Sequence, residues 1–347
     1  MLMPTMRTVA GYAAIAVVSA GALGFAMLEA GASPERWKRQ GWKTDFDRTE
    51  VPLTEIMSGG PPRDGIPSID DPAFEPVADV SRYADREPVI MLEIDGKARA
   101  YPLSVLTWHE IVNDTLAGKP VAVTYCPLCN ASIVFDRNVG DKVLDFGTTG
   151  LLRNSDLVMY DRQTETWWQQ FTGEGIVGEL AGADLRMIPS RVISFADFKA
   201  RHPGGEVLVP NNDGARPYGR NPYADYDTRA GPYGLFKGDL PEEIDPMARV
   251  VVVRHGGKIT AVMLAHLREV GSLEADGLRF SWQEGVASAL DSAEIASGRD
   301  VGAVEVVEAS GGAPVTHDVT FGFVLYAFHP EAPVLTGDGL ITLTARR

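Results

Sequence analysis

A chain of 347 residues with 45% apolar side chains can bury one large core or two moderate ones without disulfides or metals as scaffolding. Its formal charge of −15, with no basic stripe to offset it, repels phosphate backbones and argues against nucleic acid as a partner. The acidic balance favours solubility and reads first as a solvated surface.

The chain opens on a targeting signal. Arg7 precedes an uncharged, mostly apolar run from Thr8 to Leu28, which suits either a bilayer span or the core of a signal peptide. Small residues Ala30 to Ala32 precede Ser33 and permit cleavage, whereas Lys38, Arg39 and Lys43 beyond the run weakly oppose export in that orientation. Residues 1–32 are expected to be a signal peptide or membrane anchor. The remainder is then placed on the periplasmic or extracellular face of the cytoplasmic membrane, in contact with it if the segment stays uncut.

Residues 33–85, rich in Pro, Gly and Asp as in Ser58-Gly59-Gly60-Pro61-Pro62, predict an extended wrap of loops and short strands. Strands take over from residue 86. Val89 to Ile94 is a β run, Asp95-Gly96 a hairpin turn, and Lys97 to Tyr101 the return. Pro102 opens a short helix ending near Trp108 and His109. Val121 to Tyr125 is a strand running into Cys126, and Ala131–Arg137 with Lys142–Phe146 predicts the next hairpin. Long helices do not alternate with strands, so a doubly wound parallel sheet is excluded. The expected fold is mainly antiparallel β with short helices, of α+β class.

The pattern then recurs. Val250 to Ala261 repeats the hairpin of Val89 to Ala100, and Leu325-Tyr326-Ala327-Phe328-His329-Pro330 repeats Phe198-Lys199-Ala200-Arg201-His202-Pro203. A degenerate internal duplication follows, with a first repeat over 86–209 and a second over 248–347. Between them, residues 210–247 form a Tyr/Asp-rich excursion carrying Tyr218, Tyr223, Tyr226 and Tyr233. It is too aromatic for a flexible linker, and it reads equally as a rigid connector or as the border of a site. The stretch corresponding to Cys126–Asp136 is expected at Trp282–Asp291, with Ala287-Ser288 opposite Ala131-Ser132. No cysteine occurs there. The scaffold can thus be built without the pair, which tilts the cysteines from structure towards function.

The only two cysteines lie in Thr124-Tyr125-Cys126-Pro127-Leu128-Cys129. Thiolates three residues apart on a turn converge on one metal ion, or close a small reducible disulfide for exchange chemistry, or act as a structural staple. A second pair for a four-cysteine zinc site is missing, Asn130 to Asp136 reads as a strand where a thioredoxin-like helix would open, and no His follows Cys129 for covalent haem. His109 is the expected third ligand beside Cys126 and Cys129. Two thiolates and an imidazole suit copper above all, then zinc or iron.

A second polar cluster runs from Phe146 to Gln169. Arg153, Asn154 and Asp156 can line a cleft and orient a ligand, and Asp161 or Glu165 can act as a base. Equally, Asn-Ser-Asp and Asp-Arg-Gln-Thr are ordinary turn formers. Gly173-Glu174-Gly175-Ile176-Val177-Gly178 spells a dinucleotide motif, but Glu179-Leu180-Ala181-Gly182 cannot sustain the helix it requires. His202 and His329 each precede a proline and read as structural.

Trp108-His109-Glu110-Ile111-Val112-Asn113-Asp114, Val121 to Cys129, Phe135-Asp136-Arg137, Gly150 to Asp156 and Tyr160-Asp161-Arg162 resemble a domain-of-unknown-function family of exported bacterial and archaeal proteins. The resemblance covers residues 85 to 210, with a fainter echo to 337. It implies export or anchoring, hallmark C-P-x-C and N-S-D segments, and a frame that also occurs without the cysteines. It supplies no activity. Asn130 stands where Gly is commoner, and Asn still reaches a left-handed turn. The expected function is an exported metal-binding protein, with copper favoured, handling the ion or a small molecule. A thiol–disulfide oxidoreductase and a non-enzymatic binding module with a structural disulfide are the rival readings.

Overall fold

Two hairpins with the same architecture organise the described residues, 33–346 of a computed structural model. Pro88–Ile94 pairs with Lys97–Pro102, and Arg249–His255 pairs with Lys258–Met263. Each turns on two residues at positive φ, Asp95-Gly96 and Gly256-Gly257, which matches the twist of the flanking strands. A short helix follows each hairpin, Leu103–His109 and Leu264–Val270. Farther on, Arg191–Ser194 and His317–Phe321 return antiparallel to the first hairpin strand. Each leads into a helix, Phe195–Arg201 or Gly322–Phe328. Glu206–Val209 and Val334–Thr336 then add parallel to the second hairpin strand. His202 and His329 end their helices at nearly the same backbone angles, φ −130°, ψ 65° and φ −141°, ψ 61°, outside the helical region that a following proline disfavours. The duplication is therefore a repeat of topology as well as of sequence.

Inside each repeat a meander is inserted. In the first it is Ile111–Leu116, Lys119–Cys126 and Ala131–Asp136; in the second it is Ser272–Ala275, Leu278–Gln283 and Ala303–Glu308. The first repeat adds a further sheet of Phe146–Arg153, Asp156–Asp161, Trp167–Gln169 and Gly175–Val177. The larger sheets stand as blades in a propeller-like arrangement, and strand at 40% against helix at 14% makes the class mainly antiparallel β, as expected.

Two local expectations change. Ala131–Asp136 pairs back on Lys119–Cys126, and only Asn138–Val139 meets Lys142–Val143. The hairpin stops there because the Arg137 guanidinium crosses to the Leu144 carbonyl at 3.0 Å and the Asp114 carbonyl at 3.2 Å, and Phe146 opens a different sheet. In the second repeat, Gln283 ends its strand and residues 284–302 leave the sheet, so Ala287-Ser288 lies in a long connection.

The N-terminal wrap is held by aromatic rings. Trp37, Trp42 and Phe46 pack edge-on around buried Trp167 at centroid distances of 4.8, 5.2 and 5.2 Å, a geometry that aligns ring edges with ring faces. Ile56–Ser58 then pairs with Phe146–Arg153, and Ala73–Pro76 with Glu206–Val209. Residues 1–32, expected to carry the targeting segment, lie outside the described residues. No helix among the described residues is long and apolar enough to cross a membrane.

Glu87 enters the core at the start of the first hairpin, where its carboxylate accepts the Ser104 N–H at 3.3 Å. Burial pushes its pKa up to about 7 from 4.5. The folded state therefore holds this proton more tightly than the unfolded chain, and the stability it confers is lost as pH rises from the unfolded value through 7. Glu87→Gln removes that slope. Between pH 4 and pH 8 the wild type is expected to lose about 3 kcal/mol relative to the variant, read by urea unfolding at a pH series. Parallel pH profiles would rule out a buried, protonated Glu87.

Candidate functional site

Cys126 ends a strand buried at the centre of its meander, and the chain reverses at once. The Cys129 N–H bonds the Cys126 carbonyl and the Asn130 N–H bonds the Pro127 carbonyl, both at 3.2 Å. Asn130 takes a left-handed φ of 53°, which an Asn tolerates better than most residues. This tight reversal turns both thiols into the interior, where Cys126 and Cys129 are free and buried.

The second repeat and the inter-repeat excursion grip the turn from outside. Tyr226 donates to the Leu128 carbonyl at 2.9 Å, Thr320 to the Cys129 carbonyl at 2.7 Å, and the Asn130 amide to the Val319 carbonyl at 2.6 Å. Tyr226 is fully buried, so at this point the excursion is a buttress.

The third side chain arrives on a separate sheet. Asn154 and Ser155, at φ 53° and 63°, make the two-residue turn between Phe146–Arg153 and Asp156–Asp161. That turn delivers Asp156 to the thiols. The ligand atoms of Cys126, Cys129 and Asp156 all lie within 4.8 Å of one another. Asp156 Oδ2 accepts the Gln169 amide at 2.6 Å and the Phe171 N–H at 2.8 Å, while its buried Oδ1 has no hydrogen-bond partner. Arg153 reaches Gln169 at 3.4 Å and Glu55 at 2.8 Å, and so braces the residue that holds Asp156.

Every acidic group here is pushed towards its protonated form. Burial raises both thiols, Cys129 well above the usual range with Cys126 adding to it. Burial lifts Asp156 to about 6 against the pull of its Gln169 and Phe171 donors. Glu110, next to His109 in sequence, rises to about 8 through burial, with Asp156 contributing. The cation facing this group is Arg254, whose guanidinium lies 4.4 Å over the Phe171 ring and donates to the Phe171 carbonyl at 3.0 Å. The cluster is thus rich in groups that would ionise if a positive charge were placed among them.

His109 does not join the three. Its Nδ1 lies 2.7 Å from the Pro67 carbonyl and its Nε2 2.8 Å from the Tyr218 hydroxyl, so both ring nitrogens are occupied. Asp161 accepts the Thr164 N–H, the Thr164 hydroxyl and the Trp168 indole at 2.6, 2.9 and 2.9 Å, which makes it a turn anchor. Glu165 accepts the Lys43 N–H at 2.7 Å and pairs with Arg63, also away from the thiols.

The family described as "Protein of unknown function (DUF3179)" matches residues 63–332, a span holding the first repeat, most of the second, both cysteines and Asp156. The chain belongs to this family. No curated protein and no solved structure matches it. Two features of this DUF3179 chain escaped sequence reasoning: Asp156 as the direct neighbour of the thiols, and Glu110. Glu110 stands at φ 60°, ψ −33°, and the equivalent end of the second repeat's helix is Gly271 at φ 74°, ψ −40°. A signal was present, since a charged residue replaces the glycine such a helix terminus favours.

Proposed function

We propose that this DUF3179 protein is an exported metal-binding protein whose ion is held by Cys126, Cys129 and Asp156. The observation that carries this reading is the convergence of two buried thiols on Asp156, whose carboxylate keeps one oxygen without a protein hydrogen-bond partner. Donors on a tetrahedral ion, with bonds of about 2.0–2.3 Å, stand roughly 3.3–3.8 Å apart, inside the 4.8 Å that bounds the cluster. An imidazole such as His109 in third place would favour copper. With a carboxylate in that place, two thiolates and one oxygen suit a borderline divalent ion, zinc ahead of copper. Such a cation would offset the mutual repulsion of the buried acids.

The rival exchange chemistry needs an exposed thiol of lowered pKa. Burial and raised pKa values at both cysteines weigh against it. Binding must displace two thiol protons, so affinity should rise with pH. The test is elemental analysis of protein purified without chelator, with a zinc titration of Asp156→Asn. One ion per chain in the wild type, and affinity at least a hundredfold weaker in the variant, are expected. Stoichiometric zinc bound equally well by Asp156→Asn would remove the carboxylate from the ligand set, and no bound metal at all would sink the proposal.

A further inference from the structure

The two repeats also enclose a cavity distinct from the group of thiols and Asp156. Its volume is 40 Å³, space for about three water-sized groups at roughly 10–15 Å³ each. Equivalent positions of the two repeats line it. Leu103 and Leu264 each open the helix after a hairpin, and both face the cavity. Arg191 and Asp318 also correspond, because each stands three residues before the end of the returning strand, at Ser194 or Phe321. The duplication thus brings a guanidinium and a carboxyl to matching places where one scaffold position recurs.

Three buried atoms on these walls have no hydrogen-bond partner: Arg191 Nε, Arg249 Nε and Asp318 Oδ2. Their side chains are otherwise engaged. Arg191 pairs with Glu305, Arg249 with Asp227 at 2.8 Å, and Asp318 Oδ1 accepts the Ser132 N–H at 3.0 Å. The charges are balanced, and what is left over is chiefly N–H donors. Burial lifts Asp318 to about 7, so below that pH its free oxygen carries a proton and donates as well. Buried donors without a protein acceptor are costly if left unpaired, and a compact group of acceptors would pair them.

The approach is also suited to an anion. Arg249 and Leu264 line, in addition, an open depression of 400 Å³ that carries Arg229, Arg268 and Arg299 against Asp227, Asp245 and Asp300. On a chain of net charge −15, a depression in which guanidiniums at least match the carboxylates repels small anions less than the rest of the surface does. We propose that the cavity binds a small carboxylate, or an oxyanion of like shape, of three to four heavy atoms, held by the Nε–H groups of Arg191 and Arg249.

The test uses the full chain titrated with sodium formate and sodium acetate against sodium chloride at equal ionic strength, followed by thermal unfolding and calorimetry. A saturable rise in Tm with the carboxylates, absent with chloride, is expected. Ala289→Val adds methyl groups to a buried residue on the cavity wall and should keep the fold while abolishing the response. Arg191→Lys keeps a cation for Glu305 without the Nε–H and should weaken binding about tenfold. The response should persist in Cys126→Ser/Cys129→Ser, which separates it from the thiol site. No saturable response in the wild type, or an unchanged response in Arg191→Lys, overturns the proposal. So does a high-resolution structure at saturating formate with water alone in the cavity.

Discussion

Cys126→Ser/Cys129→Ser is expected to abolish the stabilisation that zinc gives the wild type, while changing the metal-free protein little. A ligand that binds only the folded state stabilises by RT ln(1 + [L]/Kd), about 4 kcal/mol at a thousandfold excess over Kd. That difference is large enough to read directly as a zinc-dependent shift in unfolding midpoint. Without metal, the Cys126 thiol makes one long bond, 3.8 Å to the Ser155 carbonyl, and the turn is held instead by Tyr226, Thr320 and Asn130. Serine preserves the shape, so the metal-free variant should fall within about 1–2 kcal/mol of the wild type. The staple reading expects the reverse. Closing so short a loop with a disulfide is worth about 2 kcal/mol, so the oxidised wild type would exceed the variant by that much and ignore zinc. Thermal melts of both proteins, with zinc, with chelator and with reductant, decide between the two.

How far the sequence could be read follows from the range of the interactions involved. The two repeat-opening hairpins, the recurring His-Pro segments and the duplication were legible because they rest on local chemistry: paired positive-φ turns and a proline fixed after each histidine. The CxxC turn was legible for the same reason. Its third partner was not. Asp156 is brought to Cys126 by the way two separate sheets pack, and no spacing encodes that contact. Asp156 was singled out as a residue that orients a ligand, one step short of the place it occupies. His109 shows the opposite error. It does lie at the end of the helix adjoining the cysteine strand, as expected, but the chain turns through a left-handed residue immediately after it. That turn leaves His109 on Pro67 and Tyr218 and puts the next residue, Glu110, among the groups that feel Asp156.

Glu110 can be tested with the molecule's own second repeat as the reference. The helices Leu103–His109 and Leu264–Val270 end in nearly the same backbone geometry, yet one terminus is Glu110 and the other Gly271. For a residue with a Cβ, a positive φ of this kind costs on the order of 1–3 kcal/mol; for glycine it costs almost nothing. Burying the carboxyl adds to the cost, as its rise to about 8 records. The copy without cysteines avoids both penalties, and the copy with cysteines accepts both. Glu110→Gly should therefore match or exceed the wild type in metal-free stability, and should exceed Glu110→Ala by about 1–2 kcal/mol, because alanine keeps the strain. If the carboxyl serves the thiol site, Glu110→Gly should at the same time bind zinc about tenfold more weakly, since a buried negative charge near the cation is lost. Glu110→Gln, which keeps the strain and the volume, should show the weaker binding without the gain in stability. A strain confined to one repeat, beside the only two thiols, is explained by function if stability and affinity move in opposite directions; equal zinc affinity in all three variants would reduce Glu110 to an accident of packing.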